Sequence, residues 1–209
     1  MKQLFIFFLS LFCVSSLSAQ LTPLRDIAVF QEKLKQQAAD ITSIESDFVQ
    51  EKYLSVFEDK IESTGRFYYR KENKIRMDYI SPISYEITIN EGKLRMVTEG
   101  KPQVVDLGSN KMMNGMKTMI SACMIGDLKG VEQEYKLSYF ENPQHYVVKI
   151  QPLSQNVRAY IYEITISFNR SNFAVSTLKL SETEKDYTEF HFKNQRYNTL
   201  TTDEKFLIR

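Results

Sequence analysis

The sequence has little of what would bind nucleic acid, hold a chain on a charged membrane surface or keep it disordered. Its 27 basic and 26 acidic side chains leave a formal charge of +1, whereas nucleic-acid-binding proteins usually carry a basic excess that neutralises phosphates. The same balance argues against a polybasic protein of the membrane surface. With seven glycines and five prolines among 209 residues, the chain is neither collagen-like nor a disordered linker.

The sequence has no hydrophobic run as long as a membrane-spanning helix. Its longest apolar run covers residues 4–14 and is interrupted at Ser10. One lysine precedes this run, and small residues lead from it to Ala19. A basic start, about 11 apolar residues and a small-residue exit are typical of a secretory signal peptide, since a membrane-spanning helix needs about 20 apolar residues. We therefore predict a signal peptide over 1–19, cleaved after Ala19, and an exported mature chain over 20–209.

Cysteine is scarce, because Cys13 and Cys123 are the two in the chain. Cys13 lies inside the apolar run and follows the bulky Phe12, whereas lipoprotein processing needs a small residue there, so its lipidation is disfavoured. Removal of the signal peptide leaves Cys123 alone, and an exported chain with one cysteine forms no internal disulfide. Its neighbours Ala122 and Met124 favour a small buried hydrophobic side chain over a reactive thiol.

Motifs for catalysis and metal binding are lacking as well. The sequence contains no HExxH, CxxC, GxSxG, GxGxxG or GxxxxGK pattern. His145 and His191 are the two histidines, and neither has a neighbouring ligand at the spacing of a zinc site. The acidic side chains within 182–186 are most simply a solvated turn. We therefore expect no enzymatic activity, no metal and no other cofactor.

The mature chain begins with a predicted amphipathic helix. Thr22 and Pro23 suit a helix start, with threonine as the cap and proline in the first turn. Spacings of three and four residues then form one apolar stripe, which consists of Ile27, Phe30, Leu34, Ala38 and Ile41. These signals predict a helix over about 23–41.

Beyond Ser43 the hydrophobic period changes to that of strands. Apolar and polar side chains alternate through about ten segments, which are bounded by turn residues such as Glu91-Gly92 and Asn142-Pro143. Such alternation is typical of half-buried strands in an antiparallel sheet. Because neither a βαβ alternation nor a shift in composition occurs, we predict a single domain over 20–209.

Residues 110–130 depart from the strand pattern and contain five of the eight methionines. Met112, Met116 and Met119 lie at spacings of four and three, which predicts one face of a short helix. Methionine is unbranched and adapts to variable apolar ligands. The stripe either contacts such a ligand or fills the core under a helix, and the pattern alone leaves both open.

Two helical segments are little cover for the apolar face of so many strands. The sheet either closes into a barrel or stays open around a cavity lined by aromatic, aliphatic and methionine side chains. The residue pattern does not decide between these arrangements.

Four stretches of the sequence, in this order, resemble the LolA family of periplasmic lipoprotein carriers. They are Phe48-Val49-Gln50, GRFYYRK over 65–71, KIRMDYISP over 74–82 and EGKL over 91–94. The family pattern has an F-x-Q strand, a G-x-[FL] strand, an aromatic strand that ends at proline and a D-G-K-x-L hairpin. The match in order and spacing covers 44–96, and a weaker match continues to the C-terminal end.

The resemblance implies a mainly β protein with some α-helix, an open antiparallel half-barrel of about 10–11 strands covered by lid helices. It also implies a periplasmic carrier that shuttles lipoproteins from an inner-membrane transporter to an outer-membrane receptor, without metal, cofactor or nucleic acid. We expect the chain to be a monomer.

The cargo in this family is acylated lipoprotein, whose acyl chains enter an apolar cavity. The side chains that we predict to bind lipid are the inward-facing apolar residues of the strands and the methionine stripe. They are Phe48, Phe67, Tyr69, Ile75, Met77, Tyr79, Ile87, Leu94, Met96, Met112, Met116, Met119, Phe168, Leu178, Leu180, Phe190 and Phe192.

The sequence differs from the family pattern at the end of the G-x-[FL] strand. In the family an arginine before a proline, after the G-x-[FL] strand, helps to hold the lid closed. Its place in this sequence is Lys71, with Arg70 before it and Glu72 where the proline would be. Lysine lacks the planar fork of arginine. We therefore predict that Lys71 or Arg70 takes the lid-closing role.

Two other functions stay open beside that of a carrier. One is a lipid- or lipoprotein-sensing regulatory protein, since a fold does not fix a function. The other is a hydrolase of apolar substrates, which would need a nucleophile and a base in the cavity, with His145 and His191 as the available bases.

Overall fold

Twelve antiparallel strands form one sheet in the computed structural model, which describes residues 20–107, 119, 121–128 and 130–208. The strands are β1 (Thr22–Pro23), β2 (Ser43–Leu54), β3 (Asp59–Arg70), β4 (Lys74–Ser81), β5 (Tyr85–Asn90), β6 (Lys93–Thr98), β7 (Lys101–Asp106), β8 (Tyr135–Glu141), β9 (His145–Pro152), β10 (Glu163–Asn169), β11 (Val175–Ser181) and β12 (Tyr187–Tyr197). The helices are α1 (Ile27–Asp40) and the one-turn α2 (Gln155–Arg158), with 3-10 turns at Val131–Gln133 and Glu204–Phe206. Residue 119 and residues 121–125 are also helical. The predicted signal peptide lies outside the described residues, as do Met112 and Met116.

The strand order is β1-β8-β9-β10-β11-β12-β2-β3-β4-β5-β6-β7. Two meanders, β2 to β7 and β8 to β12, are joined at the centre by the antiparallel pairing of β12 with β2. Within the described part of the chain, the edge strands β1 and β7 have no second partner, so the sheet stays open. The predicted open antiparallel sheet is confirmed, and of the two arrangements that the pattern allowed, the barrel is wrong.

The number of strands is twelve, so the predicted 10–11 was too low. The strand β7 has all six residues exposed, and its two valines are adjacent, so it shows no alternation of apolar and polar residues. The strand β1 has only two residues, too few for any period to be read. Both are edge strands, where burial imposes the weakest pattern.

The sheet has an apolar face, here called the core face, and a charged outer face. Directly paired residues of antiparallel strands share a face, and the register aligns one apolar row across the centre. Its pairs include Phe192 with Phe48, Phe67 with Met77 and Ile166 with Leu178. The buried hydrophobic core of the protein lies on this face.

The outer face of β3 to β5 is covered by the C-terminal tail. Phe206 is fully buried there, and its carbonyl oxygen accepts a hydrogen bond of 3.0 Å from the Asn90 amide. Arg76 donates to the carbonyl oxygen of Lys205 at 3.1 Å and forms ion pairs of 2.7 Å with Asp78 and Glu86. The tail is therefore fastened to the sheet by both apolar packing and charge.

Asn198 ties the end of α1 to the centre of the sheet. Its side-chain oxygen accepts hydrogen bonds from the Thr42 amide at 2.7 Å and from the Thr42 hydroxyl at 2.9 Å, and its amide donates to the Asp40 carbonyl at 2.9 Å. The Asn198 backbone N–H donates to the Ser43 carbonyl at 2.9 Å. Its φ of 60° lies in the left-handed region, which asparagine tolerates better than most residues. One side chain thus joins α1, β2 and β12.

The helix α1 begins at Ile27, so the predicted start at residue 23 is wrong. Thr22 and Pro23 are instead paired with Glu141 and Phe140 at the edge of β8. The adjoining backbone of Leu24 donates to the Tyr139 carbonyl at 3.0 Å. An open sheet edge offers this segment backbone partners that a first helical turn does not have.

Phe30 anchors α1 on the core face. Its ring lies in an aromatic cluster, with centroid distances of 4.9 Å to Tyr146, 5.9 Å to Phe168 and 6.1 Å to both Tyr139 and Phe173. Leu34 and Ala38 continue the buried stripe, as predicted, whereas Ile27 is exposed. The Phe30 ring is therefore the aromatic contact between α1 and strands β8 to β10.

Replacing Phe30 with alanine should lower the free energy of unfolding by about 3–5 kcal/mol, because it removes a buried aromatic ring and leaves a cavity. Replacing the exposed Val29 with alanine is the matched control and should change it by about 0.5 kcal/mol at most. Urea denaturation followed by circular dichroism measures both. Equal effects of the two substitutions would show that Phe30 does not anchor the helix.

Candidate ligand-binding cavity

An apolar cavity lies between the core face and the segment formed by residues 119 and 121–128, here called the covering segment. Its volume is about 90 Å³. Its walls come from β3, β4 and β10 to β12 on one side and from the covering segment on the other. The wall residues are all apolar: Phe67, Met77, Met119, Cys123, Met124, Ile164, Leu178, Leu180, Phe190 and Phe192.

Three larger depressions on the described surface have charged borders. One of about 310 Å³ lies between α1 and residues 126–132, with Glu32, Lys35 and Glu132 on its border. One of about 400 Å³ lies on the outer face among charged residues of β2, β3 and β12, and one of about 260 Å³ lies beside the start of α1. An apolar chain would leave their charges desolvated, so the smaller cavity is the better apolar site.

Of the residues predicted to bind lipid, seven line this cavity: Phe67, Met77, Met119, Leu178, Leu180, Phe190 and Phe192. Others lie on the same face without reaching it. Phe168 is fully buried beneath Phe30, and Leu94 and Met96 lie near the β7 edge. Phe48, Tyr69, Ile75, Tyr79 and Ile87 belong to the surrounding core. The positions of Met112 and Met116 lie outside the described residues.

Three wall residues were missed in the sequence. Ile164 pairs with Leu180 across β10 and β11, so the period of two could have placed it on the same face. Cys123 lies four residues after Met119, a spacing that puts two side chains on one helix face. Met124 was part of the methionine-rich stretch but lies beyond the stripe that we chose.

The motif residues Phe48 and Gly65 have a steric explanation. They pair directly on the core face, and a Cβ atom on Gly65 would lie 2.6 Å from the Phe48 ring and 2.3 Å from the Asp78 carbonyl oxygen. Glycine leaves room for the ring, which packs edge-on against Tyr79 at 5.1 Å and Phe190 at 5.7 Å. The Phe48 ring thereby packs beside Phe190, which is one of the cavity walls.

Gln50, the third residue of the same motif, satisfies a buried phenol. The Tyr79 hydroxyl donates to the Gln50 side-chain oxygen at 2.6 Å, and the Tyr79 ring stacks on Tyr85 with centroids 4.1 Å apart. Burial raises the pKa of Tyr79 above its ordinary value. The Tyr79 hydroxyl is therefore neutral and paired, which keeps its side of the core face apolar.

Cys123 is a free cysteine with no exposed surface, as predicted. Burial raises the pKa of its thiol to about 12. Because the thiolate is the nucleophilic form, the thiol is unreactive at neutral pH. Neither histidine is among the cavity walls, and His191 lies on the outer face, 3.9 Å from Glu51. Among the described residues, the cavity walls include no histidine, aspartate or glutamate that could act as the base of a hydrolase.

The two basic residues predicted to close the lid have different partners. The Lys71 ammonium donates to the Ala39 carbonyl at 3.0 Å, in the last turn of α1, where a positive charge is favoured by the helix dipole. Arg70 points to the outer face, where it binds Asp203 and the Thr201 carbonyl in the C-terminal tail. Of the two, Lys71 is the one that contacts an element covering the core face.

Gly126 lets the covering segment approach α1. Its φ of 79° lies in the left-handed region, and a Cβ atom there would lie 2.6 Å from a methyl carbon of Leu34. Any other residue would be strained and would also push the helix away. The helical residues 121–125 thus end at Gly126, and the covering segment contacts α1 at Leu34 and lines the cavity on the core face.

The model of the family described as outer membrane lipoprotein carrier protein LolA matches residues 39–209. No curated protein sequence matches the chain. No helix among the described residues is long and apolar enough to cross a membrane. In the same part of the chain, no group of three or more histidine, cysteine, aspartate or glutamate side chains is placed to hold a metal ion.

Solved structures that match the chain share little sequence with it. The complex of Pseudomonas aeruginosa MucA and MucB matches with 14% identity and a TM-score of 0.50 over 87% of this chain and 61% of the other. An uncharacterized conserved protein from Thermus thermophilus matches with 9% identity and a TM-score of 0.51 over 86% and 91%. A LolA superfamily protein from Nitrosomonas europaea has 10% identity and a TM-score of 0.43 over 85% and 97%. The chain spans about three fifths of the MucA/MucB chain that it matches, and the likeness to the first two structures shows the fold alone.

Thiol labelling tests the placement of Cys123. In the chain from Gln20 onward, we expect maleimide to react at least 100-fold more slowly in the native protein than in denaturant, because the thiol is buried and protonated. The control is a chain with Cys123→Ala and Ser171→Cys, whose exposed thiol should react at once in both conditions. Equal rates for Cys123 in native and denatured protein would contradict this placement.

Because Arg70 and Lys71 have different partners, replacing each with alanine should loosen a different segment of the chain. Lys71→Ala should speed amide hydrogen exchange in the last turn of α1, because the carbonyl of Ala39 loses its partner. Arg70→Ala should instead speed exchange in the tail around 203–206. Each variant serves as the control for the other, and exchange that rises in the same segment for both would disprove the assignment.

Proposed function

The chain belongs to the LolA family of outer membrane lipoprotein carrier proteins, and on that premise we propose that it carries lipoproteins by enclosing their acyl chains in the cavity under the covering segment. The observation that carries the proposal is a cavity whose ten wall residues are all apolar. We propose that the carrier works in the periplasm, between an inner-membrane transporter that releases lipoproteins and an outer-membrane receptor.

The chemistry of the walls suits acyl chains. Each methylene group taken out of water contributes about 0.8 kcal/mol, so a chain of many carbons must be enclosed to cross an aqueous compartment. Sulfur-containing side chains lie on both sides of the cavity, with Met77 on the sheet and Met119, Cys123 and Met124 on the covering segment. Such unbranched, polarizable side chains accommodate ligands of different shape.

The cavity must enlarge to take up cargo. Its 90 Å³ is well below the ~300–1,000 Å³ of pockets that enclose drug-sized ligands. The β-strands are fixed by backbone hydrogen bonds, whereas the covering segment lies on the core face through apolar side chains. We propose that this segment moves away to admit acyl chains and returns when they leave.

Lys71 is the better candidate for the lid-closing role. Its bond to the end of α1 holds the helix that packs against the covering segment through Leu34 and Gly126. Arg70, which binds the tail on the outer face, has no comparable path to the cavity. We propose that Lys71 limits the movement of α1 and so favours the closed form.

A second candidate function is the binding of a regulatory protein. The likeness to a MucA/MucB complex shows that this fold also occurs in a protein crystallised with a protein partner. Lipid or lipoprotein sensing would use the same cavity, so acyl binding is common to both candidates. Transfer of bound lipoprotein to an acceptor membrane is specific to the carrier.

Polar substitution in the covering segment tests the cavity. A chain with Met119→Gln and Met124→Gln should bind a fluorescent fatty-acyl probe at least tenfold more weakly, because burying amides against an acyl chain costs about 1–3 kcal/mol each. Met96→Gln is the matched control, since Met96 shares the core face but lies outside the cavity. Unchanged probe affinity together with a large drop in melting temperature would assign these methionines to the structural core and contradict the proposal.

A further inference from the structure

One end of the sheet carries exposed apolar side chains that the cavity does not use. Val56 and Phe57, in the turn between β2 and β3, are 85% and 73% exposed. Ile61 on β3 is 49% exposed, and Ile80 and Ile83, around the turn between β4 and β5, are 57% and 63% exposed. These five residues are here called the apolar rim. Single exposed hydrophobic residues are common, but a group at one end of a molecule marks an interaction site.

The strand register brings the members of the apolar rim to the same end. Thr64 pairs with Ser81, so the β4–β5 turn lies beside the place from which the β2–β3 hairpin projects. The pairing of β2 with β3 continues outward to Leu54 and Asp59, beyond the end of β4. The register also shifts next to Thr64, which leaves Ile80 as the extra residue of a bulge.

The projecting hairpin is braced, so its exposed residues are held out by structure. The Ser55 amide donates to the Asp186 carboxylate at 2.7 Å, and the Phe57 amide closes the turn onto the Leu54 carbonyl at 3.0 Å. Below the turn, Lys60 pairs with Glu51 at 2.8 Å. A turn fixed in this way presents Val56 and Phe57 to solvent, where they add nothing to the core.

The apolar rim continues the face that lines the cavity. From Phe48 and Gly65, the next pairs on the core face are Gln50 with Ser63 and Lys52 with Ile61, and the turn follows. Ile61 therefore points to the same side of the sheet as the cavity walls. The rim lies where this face meets solvent.

The shape and charge of the apolar rim fit a lipid bilayer. Val56, Phe57 and Ile83 lie in turns, and Ile61 and Ile80 lie at the adjoining strand ends. None of the five lines a cavity or depression described above, and exposed apolar side chains of this kind suit insertion among lipid headgroups and acyl chains. Residues 55–62 carry three acidic side chains and one basic side chain, and residues 80–84 carry none. Attraction by anionic lipids, which needs basic clusters, is therefore not the source of binding. We propose that the apolar rim docks this end of the sheet on a bilayer by apolar insertion, whatever the cavity carries.

The lack of tryptophan in the chain provides a direct test. The chain from Gln20 onward with Phe57→Trp has one tryptophan, in the rim, and its emission should shift to the blue when phosphatidylcholine vesicles are added. Val104→Trp, on the exposed β7 strand away from the rim, is the matched control and should not shift. The shift should persist at high salt and need no phosphatidylglycerol, because screening weakens only charge attraction.

Polar substitutions in the apolar rim should weaken binding of the chain to vesicles. A chain with Val56→Ser and Phe57→Ser should sediment with phosphatidylcholine vesicles at least tenfold less than the unchanged chain, while it keeps its affinity for the fatty-acyl probe. The chain with Met119→Gln and Met124→Gln should show the opposite pattern, so failure of the rim and failure of the cavity are distinguishable. No shift for Phe57→Trp, an equal shift for Val104→Trp, or binding that requires phosphatidylglycerol and low salt would each overturn the proposal.

Discussion

The pairing of β12 with β2 is the interaction on which the rest of the structure depends. It joins two meanders into one sheet, and its partners are far apart in the chain, since Tyr187 pairs with Tyr53 and Tyr197 with Ile44. Phe190 and Phe192 reach the cavity from β12, where Phe192 lies 5.6 Å from the Phe67 ring of the other meander. The cavity therefore exists only when both halves are joined. Asn198, directly after β12, also bonds to the end of α1. The pairing of β12 with β2 therefore positions the helix as well.

A sheet that remains open needs cover that is less permanent than another layer of strands. On the described part of the core face this cover consists of α1, anchored through Phe30, and the covering segment, which rests on methionine, cysteine and leucine contacts. Rigid walls and an apolar, adaptable cover are what a reversible carrier requires. The charged outer face has its own cover in the C-terminal tail, so the two faces serve different purposes.

Much of this arrangement could be predicted from the sequence, because one-sided burial imposes a period of two on each strand. The core-face positions of Phe67, Met77 and Leu178 follow from that period. The same period places Arg70 on the opposite face from Tyr69, which the motif comparison overlooked. Its partner Asp203 lies 133 residues away, and contacts at such separation leave no local pattern. The edge strands and the helix start were missed because their residues respond to backbone pairing rather than to burial.

The central claim is that acyl chains enter between the core face and the covering segment. A crystal structure of the chain from Gln20 onward with a long-chain fatty acid tests it most directly. We expect electron density for the acyl chain against Phe67, Leu178 and Phe190, with the covering segment displaced from the sheet and the strands unchanged. Density outside this cavity, or a bound acyl chain with the covering segment in its present position, would contradict the account.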